Sequence, residues 1–300
     1  MNRGKSRKDH IVVLIAAVFA AAMVIFPQTT EAGSKTAISL WLNSIVPVML
    51  PFYIFSDFIK RTGDLSRLPV HIYPFVMAFL SGYPMAAKVT GDIVKSGAIT
   101  TEQGRHILSY SFVTGPAFII FTVGDFIGSQ KAAVVIAVSH YMGALLNGLL
   151  YPCAGPAPVR KSLREAPGGH YLENFTAAII GGFRAMAVIL AYIMVFIIGI
   201  NILESSGVFG MLPCETASAA LKGIFEMTIG VNLIGMCNTG IRIKTVICAF
   251  LVSFGGLSVA GQAVSVAGGS SMGLGDILKI KLTHGLIGAV IAMIFGWFVL

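Results

Sequence analysis

Charged residues are scarce in this chain. Asp, Glu, Lys and Arg together are only 11% of its 300 residues, whereas soluble domains average about 25%. Apolar residues make up 56% of the chain, and the mean hydropathy is +0.84. This balance excludes an ordinary soluble domain and predicts an all-α protein that crosses a membrane several times.

The familiar motifs of enzymes and metal sites are also missing. The sequence contains no HExxH, no Walker A motif and no dinucleotide-type glycine motif. Its four cysteines form no CxxC pair, so we interpret them as helix-packing thiols and predict neither a metal nor a cofactor. Acidic residues are few, 13 against 21 Lys and Arg. In a membrane protein this excess indicates loops at the anionic cytoplasmic leaflet rather than nucleic-acid binding.

Apolar segments long enough to cross a bilayer need about 20 residues. The predicted spans are 11–27, 36–60, 104–127, 131–151, 174–204, 243–268 and 276–299. Two further segments, 72–97 and 215–238, are interrupted by polar residues and are predicted not to cross. The first span also fits a secretory signal peptide cleaved after Ala32, but its long apolar run favours an uncleaved helix.

A shift of 144 residues aligns the two halves of the chain. It lays "SHYMGALL" (139–146) on "THGLIGAV" (283–290) and pairs His140 with His284, both of which are expected to be packed interhelical hydrogen-bonding groups. Each half then holds three crossings, and an odd number of crossings turns the second half upside down. The sequence therefore predicts an inverted repeat with re-entrant helical hairpins at the two non-crossing segments.

The charge distribution gives the topology. With the N-terminus inside, predicted cytoplasmic segments carry fourteen Lys and Arg, including Lys279 and Lys281, and the outer segments carry four. The predicted units are an N-terminal transmembrane helix with an outer loop (1–35), a first repeat (36–152), a cytoplasmic linker (153–173) and a second repeat (174–300).

The stretch "FLSGYPMAAKVTGDIV" (79–94) breaks its own apolar run. Gly82 permits a bend and Pro84 suits the first turn of a second half-helix, whose N-terminus presents free N–H groups and a positive dipole end. A polar stripe that begins at Lys88 follows. Irregular backbone at this depth must be buried in protein or line a water-filled cavity, which predicts a binding site. The alternative is a plain amphipathic helix at the interface.

The second half offers a matching segment, "LKGIFEMTIGVNLIGMCNTG" (221–240). Its Glu226 is either a coupling group or half of an ion pair with Arg184. The spans that follow each hairpin are broken by glycines, which would free backbone groups for a solute. The residues expected to surround a solute at mid-membrane are Ser81, Gly82, Tyr83, Lys88, Thr114, Gly115, Pro116, Glu226, Thr228, Asn232, Ser258 and Gln262.

Four motifs in order resemble the sporulation integral membrane protein YlbJ family. They are "SGYPMAAK", "LSYSFVTGPAF", "GIFEMTIG" and "FGGLSVAGQ", and the resemblance runs from about residue 36 to the end of the chain. It implies two domains of the nucleoside-recognition or Gate group, which is similar in layout to concentrative nucleoside transporters. It also implies a transporter or permease in the cell membrane of a spore-forming bacterium.

The expected cargo is a small polar solute, either dipicolinate or a nucleoside. Lys88 beside a half-helix N-terminus favours an anion, and Glu226 would couple transport to a proton or cation. Membrane lipid and a second copy of the chain are further expected partners. Two alternatives remain open: a gated-pore or assembly subunit of a sporulation complex, and an intramembrane serine hydrolase using Ser258 of "GLSV" with His284 as base.

Overall fold

The computed structural model describes residues 7–63, 68–153, 170–267 and 272–300. It is 86% helical, and no strand occurs in those residues. In chain order the helices are α1 (Arg7–Ile25), α2 (Pro27–Thr62), α3 (Tyr73–Ser81), α4 (Tyr83–Lys95), α5 (Thr101–Ser111), α6 (Phe118–Ile127), α7 (Gln130–Leu150), α8 (Tyr171–Ser205), α9 (Glu215–Phe225), α10 (Met227–Met236), α11 (Ile241–Phe254), α12 (Gly256–Ala267) and α13 (Leu274–Val299).

Several helices are long and apolar enough to cross a membrane. They are α2, α7, α8, the α11–α12 pair and α13. They coincide with five of the predicted spans. The first predicted span corresponds to the shorter apolar stretch His10–Ile25, and the span at 104–127 is divided between α5 and α6.

The outer loop expected before residue 36 is instead the first part of α2, so this expectation was wrong. Pro27 occupies the first turn of α2, where its missing N–H costs nothing. Gly33 lies within this helix and lets α2 approach α8 closely. A Cβ at this position would lie 3.2 Å from the Ile198 Cα of α8. Most of the predicted cytoplasmic linker, residues 154–169, lies outside the described residues.

Two one-residue breaks separate pairs of short helices. Gly82 separates α3 from α4 at φ +85°, a conformation that glycine adopts without strain. Glu226 separates α9 from α10 with extended backbone. In the second case the helices meet at Gly223 and Gly230, where an added Cβ on Gly230 would lie 2.1 Å from the Gly223 Cα. The first break lies at the glycine where the sequence predicts a bend, and the second lies within the matching segment 221–240.

The core around these breaks is formed by α7, α11 and α13. A Cβ on Gly143 of α7 would lie 3.3 Å from the Gly288 Cα of α13, and one on Gly288 would lie 2.7 Å from the Ser253 Oγ of α11. Small residues at such contacts let helices approach closely in a membrane, where dispersion replaces the hydrophobic effect as the driving force. This close packing gives the broken helices a rigid support.

Candidate functional site

A cavity of about 50 Å³ lies where the helix breaks meet. Its wall takes residues from both one-residue breaks and from both interrupted spans, together with apolar side chains such as Met49 and Ile193. Eight of the twelve expected site residues line it: Ser81, Gly82, Tyr83, Thr114, Glu226, Thr228, Ser258 and Gln262. The structure therefore brings together residues that are up to 181 positions apart in the sequence.

The N-termini of three helices lie at this cavity. α4 begins at Tyr83, α10 begins at Met227 and α12 begins at Gly256; Tyr83, Met227 and the nearby Ser258 all line the wall. A helix N-terminus carries unpaired N–H groups and about half a positive charge. Each of these ends favours a negative charge nearby, and at α10 the Glu226 carboxylate already occupies that position.

Two hydroxyl groups in the wall have no partner in the described part of the chain. The Ser81 and Ser258 Oγ atoms are buried and make no hydrogen bond, and the two side chains are only 7% and 1% exposed. Buried polar atoms in native proteins nearly always have a partner, which is often an ordered water or a ligand. Both hydroxyls are therefore available to a molecule in the cavity.

Glu226 is the one carboxylate that lines the cavity, and it is 1% exposed. Its Oε2 accepts a hydrogen bond from the Ile229 N–H at 2.7 Å, so it acts as the N-cap of α10. The ion pair with Arg184 that the sequence left open is not among the contacts of the described residues. The carboxylate is thus held by backbone, and its charge has no cationic partner there.

The interruption between α5 and α6 frees backbone groups that side chains from other helices satisfy. The Phe112 oxygen accepts a hydrogen bond from the Lys281 Nζ at 3.1 Å, and the Thr114 oxygen accepts one from the Tyr141 hydroxyl at 2.9 Å. The Thr114 N–H donates to the His140 Nε2 at 3.1 Å. This irregular backbone is therefore supported from α7 and α13.

The second interrupted span is supported from the first half of the chain. The Tyr83 hydroxyl donates to the Val252 oxygen near the end of α11. The His140 Nδ1 lies 3.0 Å from the Ser253 Oγ, and the His284 Nε2 lies 2.8 Å from the His140 backbone oxygen. Both histidines make the interhelical hydrogen bonds that were expected, and they join the two halves beside the cavity.

Lys88 does not reach the cavity, and the geometry expected for it was wrong. Its side chain is 56% exposed, and its Nζ lies 3.4 Å from the Asp92 Oδ2. The physical reason is helix phase. α4 buries Ala86, Ala87 and Thr90, so Lys88 lies on the opposite, exposed face. The structure thus favours the alternative interpretation, in which Lys88 belongs to the polar face of an amphipathic helix.

The remaining expected residues lie at neighbouring pockets. Gly115 and Pro116 line an apolar cavity of about 140 Å³ that adjoins the first, since Ser81, Gly82 and Met49 belong to both walls. Asn232 lines an open pocket with Lys35 of α2. Gly115 and Pro116 therefore border the central cavity, whereas Asn232 lines a separate pocket that shares no residue with it.

The serine hydrolase alternative requires a hydrogen bond between Ser258 and His284. The Ser258 Oγ has no hydrogen-bond partner among the residues that the structure describes, and the His284 Nε2 is directed to a backbone oxygen. In the part of the chain that the structure describes, Ser258 and His284 therefore do not form a hydrogen-bonded pair.

Lys281 is the feature that the sequence pattern missed. We assigned it to the cytoplasmic charges, yet it is 1% exposed within α13 and lies over the ring of Tyr83, with 4.4 Å between the Nζ and the ring centroid. A signal was present, because Ile277, Lys281 and His284 share one helix face at spacings of four and three residues. A lysine on the same face as a packed histidine points inward.

One curated relative is similar along nearly the whole chain. The sporulation integral membrane protein YlbJ of Bacillus subtilis is 24% identical over an alignment of 334 residues, which covers 94% of this chain and 82% of that protein. No family model matches the sequence. No solved structure matches the fold. The chain is thus a multi-pass membrane protein related to the sporulation integral membrane protein YlbJ, as its motifs indicated.

Proposed function

We propose that this protein transports a small polar, anionic solute across the membrane of a spore-forming bacterium. The observation that carries the proposal is the cavity at which both one-residue helix breaks and both interrupted spans meet, with the Ser81 and Ser258 hydroxyls unpartnered in its wall. Broken helices around a buried polar site are typical of transporters. Dipicolinate is the anionic candidate, in keeping with the relation to a sporulation protein. An uncharged nucleoside is the alternative solute that the Gate-type motifs indicate.

An inverted repeat with two re-entrant hairpins is the architecture that suits this activity. Equivalent features recur 144 residues apart: the breaks at Gly82 and Glu226, and the first residues of α7 and α13 at Gln130 and Leu274. Three crossings per half would invert the second copy and put both hairpin tips at the same depth. The recurring helix boundaries support the repeat independently of the few identical residues.

The backbone supports an anionic solute. Three helix N-termini end at the cavity, and each favours negative charge in a low-dielectric environment. Ser81 and Ser258 can each donate one hydrogen bond to a carboxylate or hydroxyl. Glu226 brings a negative charge to the same wall, so an arriving anion requires it to be neutralised, and a coupling proton or cation bound there does so.

The cavity is too small to hold the proposed solutes. A volume of about 50 Å³ holds one or two waters, whereas sites for small organic ligands span roughly 300–1,000 Å³. Transport of an aromatic dicarboxylate or a nucleoside therefore requires a second conformation with a wider cavity. The adjoining apolar cavity of about 140 Å³ offers room for this expansion.

Uptake into proteoliposomes tests the proposal. Purified protein is reconstituted alone and offered dipicolinate, uridine and succinate, with protein-free liposomes as the control. Saturable uptake of at least one solute supports transport, and Glu226→Gln should then remove the dependence on a proton or sodium gradient. Absence of uptake for every solute under every gradient would contradict the proposal and favour a subunit that needs partner proteins.

A further inference from the structure

Lys281 differs from the other buried lysines of the described residues. Lys60, Lys222 and Lys281 are all at most 9% exposed. The Lys60 Nζ lies 3.8 Å from the Asp57 Oδ1, and the Lys222 Nζ lies 2.6 Å from the Glu204 Oε1. No such carboxylate partner exists for Lys281 in the parts of the chain that the structure describes. An intramembrane charge without a counter-ion is costly and marks a functional position.

The partners of Lys281 are weak ones for a buried ammonium. Its Nζ donates to the Phe112 oxygen and lies over two rings, 4.4 Å from the centroid of Tyr83 and 4.7 Å from that of Phe112. Cation–π contacts and one carbonyl stabilise the position. None of these partners carries a negative charge, so they do not cancel the field of the protonated ammonium.

The charge lies directly behind the cavity wall. Tyr83 lines the cavity on one side and carries Lys281 over its ring. The bonded Phe112 oxygen precedes the wall residue Thr114 by two positions. Lys281 therefore acts on the cavity through one layer of protein and at no point touches its contents.

We infer that Lys281 is the residue that sets the charge preference of this site and makes it accept carboxylate-bearing solutes. The inference rests on the proposed transport function and deepens it. Once a proton or cation neutralises Glu226, the protonated Lys281 and the helix N-termini at the cavity favour a solute that carries negative charge. Lys281 thereby takes the electrostatic role that the sequence pattern gave to Lys88.

The size of the effect follows from Coulomb's law. One side chain, that of Tyr83, separates the Lys281 charge from a solute in the cavity. At an effective dielectric constant of about 20, a unit charge at this separation changes the affinity for a monoanion by roughly tenfold. A dicarboxylate feels the charge twice and an uncharged molecule of the same shape barely feels it. Charge preference is therefore a readout that a purely structural role of Lys281 would leave unchanged.

The test compares two probes of similar shape in the same proteoliposomes. They are dipicolinate, which is pyridine-2,6-dicarboxylate, and its uncharged diamide. The quantity measured is the ratio of their initial uptake rates below saturation, in which the amount of folded protein cancels. Lys281→Gln removes the charge but keeps a donor for the Phe112 oxygen, and Lys281→Arg keeps the charge. Lys88→Gln is the matched control, since it removes an exposed lysine from the helix that begins at Tyr83.

We expect the dicarboxylate-to-diamide ratio to fall at least about tenfold in Lys281→Gln and to change less than about threefold in Lys281→Arg and Lys88→Gln. An unchanged ratio in Lys281→Gln, or an equal loss for both probes, overturns the inference and leaves Lys281 a structural residue. A wild-type protein that moves neither probe nor any other solute overturns the proposed function itself. Lys281→Met serves as a second uncharged variant, judged by the same ratio.

Discussion

The hydroxyl of Tyr83 donates a hydrogen bond to the backbone oxygen of Val252, across 169 residues of sequence. In the reverse direction, Lys281 of the second half donates to the Phe112 oxygen of the first. Each interrupted span is thus supported by a side chain from the other half of the chain. A carbonyl freed by a helix break needs such a donor, because no lipid group can supply one. The breaks and the contact between the halves therefore depend on each other.

Removal of the Tyr83 hydroxyl should destabilise the protein. Tyr83→Phe leaves the buried Val252 oxygen without its donor, at an expected cost of about 1–3 kcal/mol in the free energy of unfolding. Tyr110→Phe is the matched control: the Tyr110 hydroxyl donates to the His71 oxygen at 2.7 Å in an exposed position, where water can replace it. Thermal unfolding in detergent measures both. Equal melting temperatures for the two variants would show that the Tyr83 contact contributes nothing.

The turn at Glu226 should tolerate no side chain at Gly230. Gly230→Ala places a Cβ 2.1 Å from the Gly223 Cα, so α9 and α10 would have to separate. Overpacking of this kind costs typically about 1–3 kcal/mol or more. Gly275→Ala, which meets no atom within 4 Å, is the control and should leave the melting temperature unchanged. A stable Gly230→Ala protein would contradict the close packing of this hairpin.

Substitution of Lys88 should have little effect, contrary to the expectation from sequence. Lys88 and Lys95 are 56% and 39% exposed, and both pair with Asp92. Exposed pairs contribute at most about 1 kcal/mol. Lys88→Ala and Lys95→Ala should therefore each change the apparent affinity for the transported solute less than about twofold. A tenfold loss confined to Lys88→Ala, measured as uptake against solute concentration, would return Lys88 to the site.

The proposed inverted repeat predicts that the two proposed hairpins open to opposite sides of the membrane. Lys88→Cys should react with an impermeant maleimide from the cytoplasmic side, and Asn232→Cys from the outside. Both variants are made in a protein in which serine replaces Cys153 and Cys214. The other two native cysteines are buried and are left in place. The extent of labelling at each position is compared between intact cells and inverted membrane vesicles. Reaction of both positions from one side only would exclude the inverted topology.

The positions of the helix breaks could be predicted from sequence because their causes are local. Gly82 adopts a positive φ that other residues avoid, and the Gly255–Gly256 pair does the same at φ +82° and +75°. An apolar run that stops at such residues and continues with polar side chains is inconsistent with a lipid-facing span. The alignment of the two halves also predicted that Thr114 and Ser258 converge on one cavity.

The orientation of individual lysines could not be predicted, because it depends on which helix face meets a neighbour. Lys88 and Lys281 both interrupt apolar stretches, yet the first is exposed and the second is buried against Tyr83. Their difference arises from the packing of α4 and α13 against other helices, which residue spacing alone does not fix. Burial of Lys281 also required a backbone oxygen, that of Phe112, whose availability depends on a break elsewhere in the chain.

Protection of a single cysteine by solute tests the central claim most directly. Ser258→Cys, in the same background lacking Cys153 and Cys214, places a thiol in the cavity wall, and Met236→Cys places one at a site that is 74% exposed. The rate of modification by a small methanethiosulfonate reagent is measured with and without a saturating concentration of the transported solute. We expect the solute to slow modification at position 258 at least fivefold and to leave position 236 unaffected. A thiol at 258 that never reacts, or that reacts equally fast with and without solute, would contradict a solute site between the broken helices.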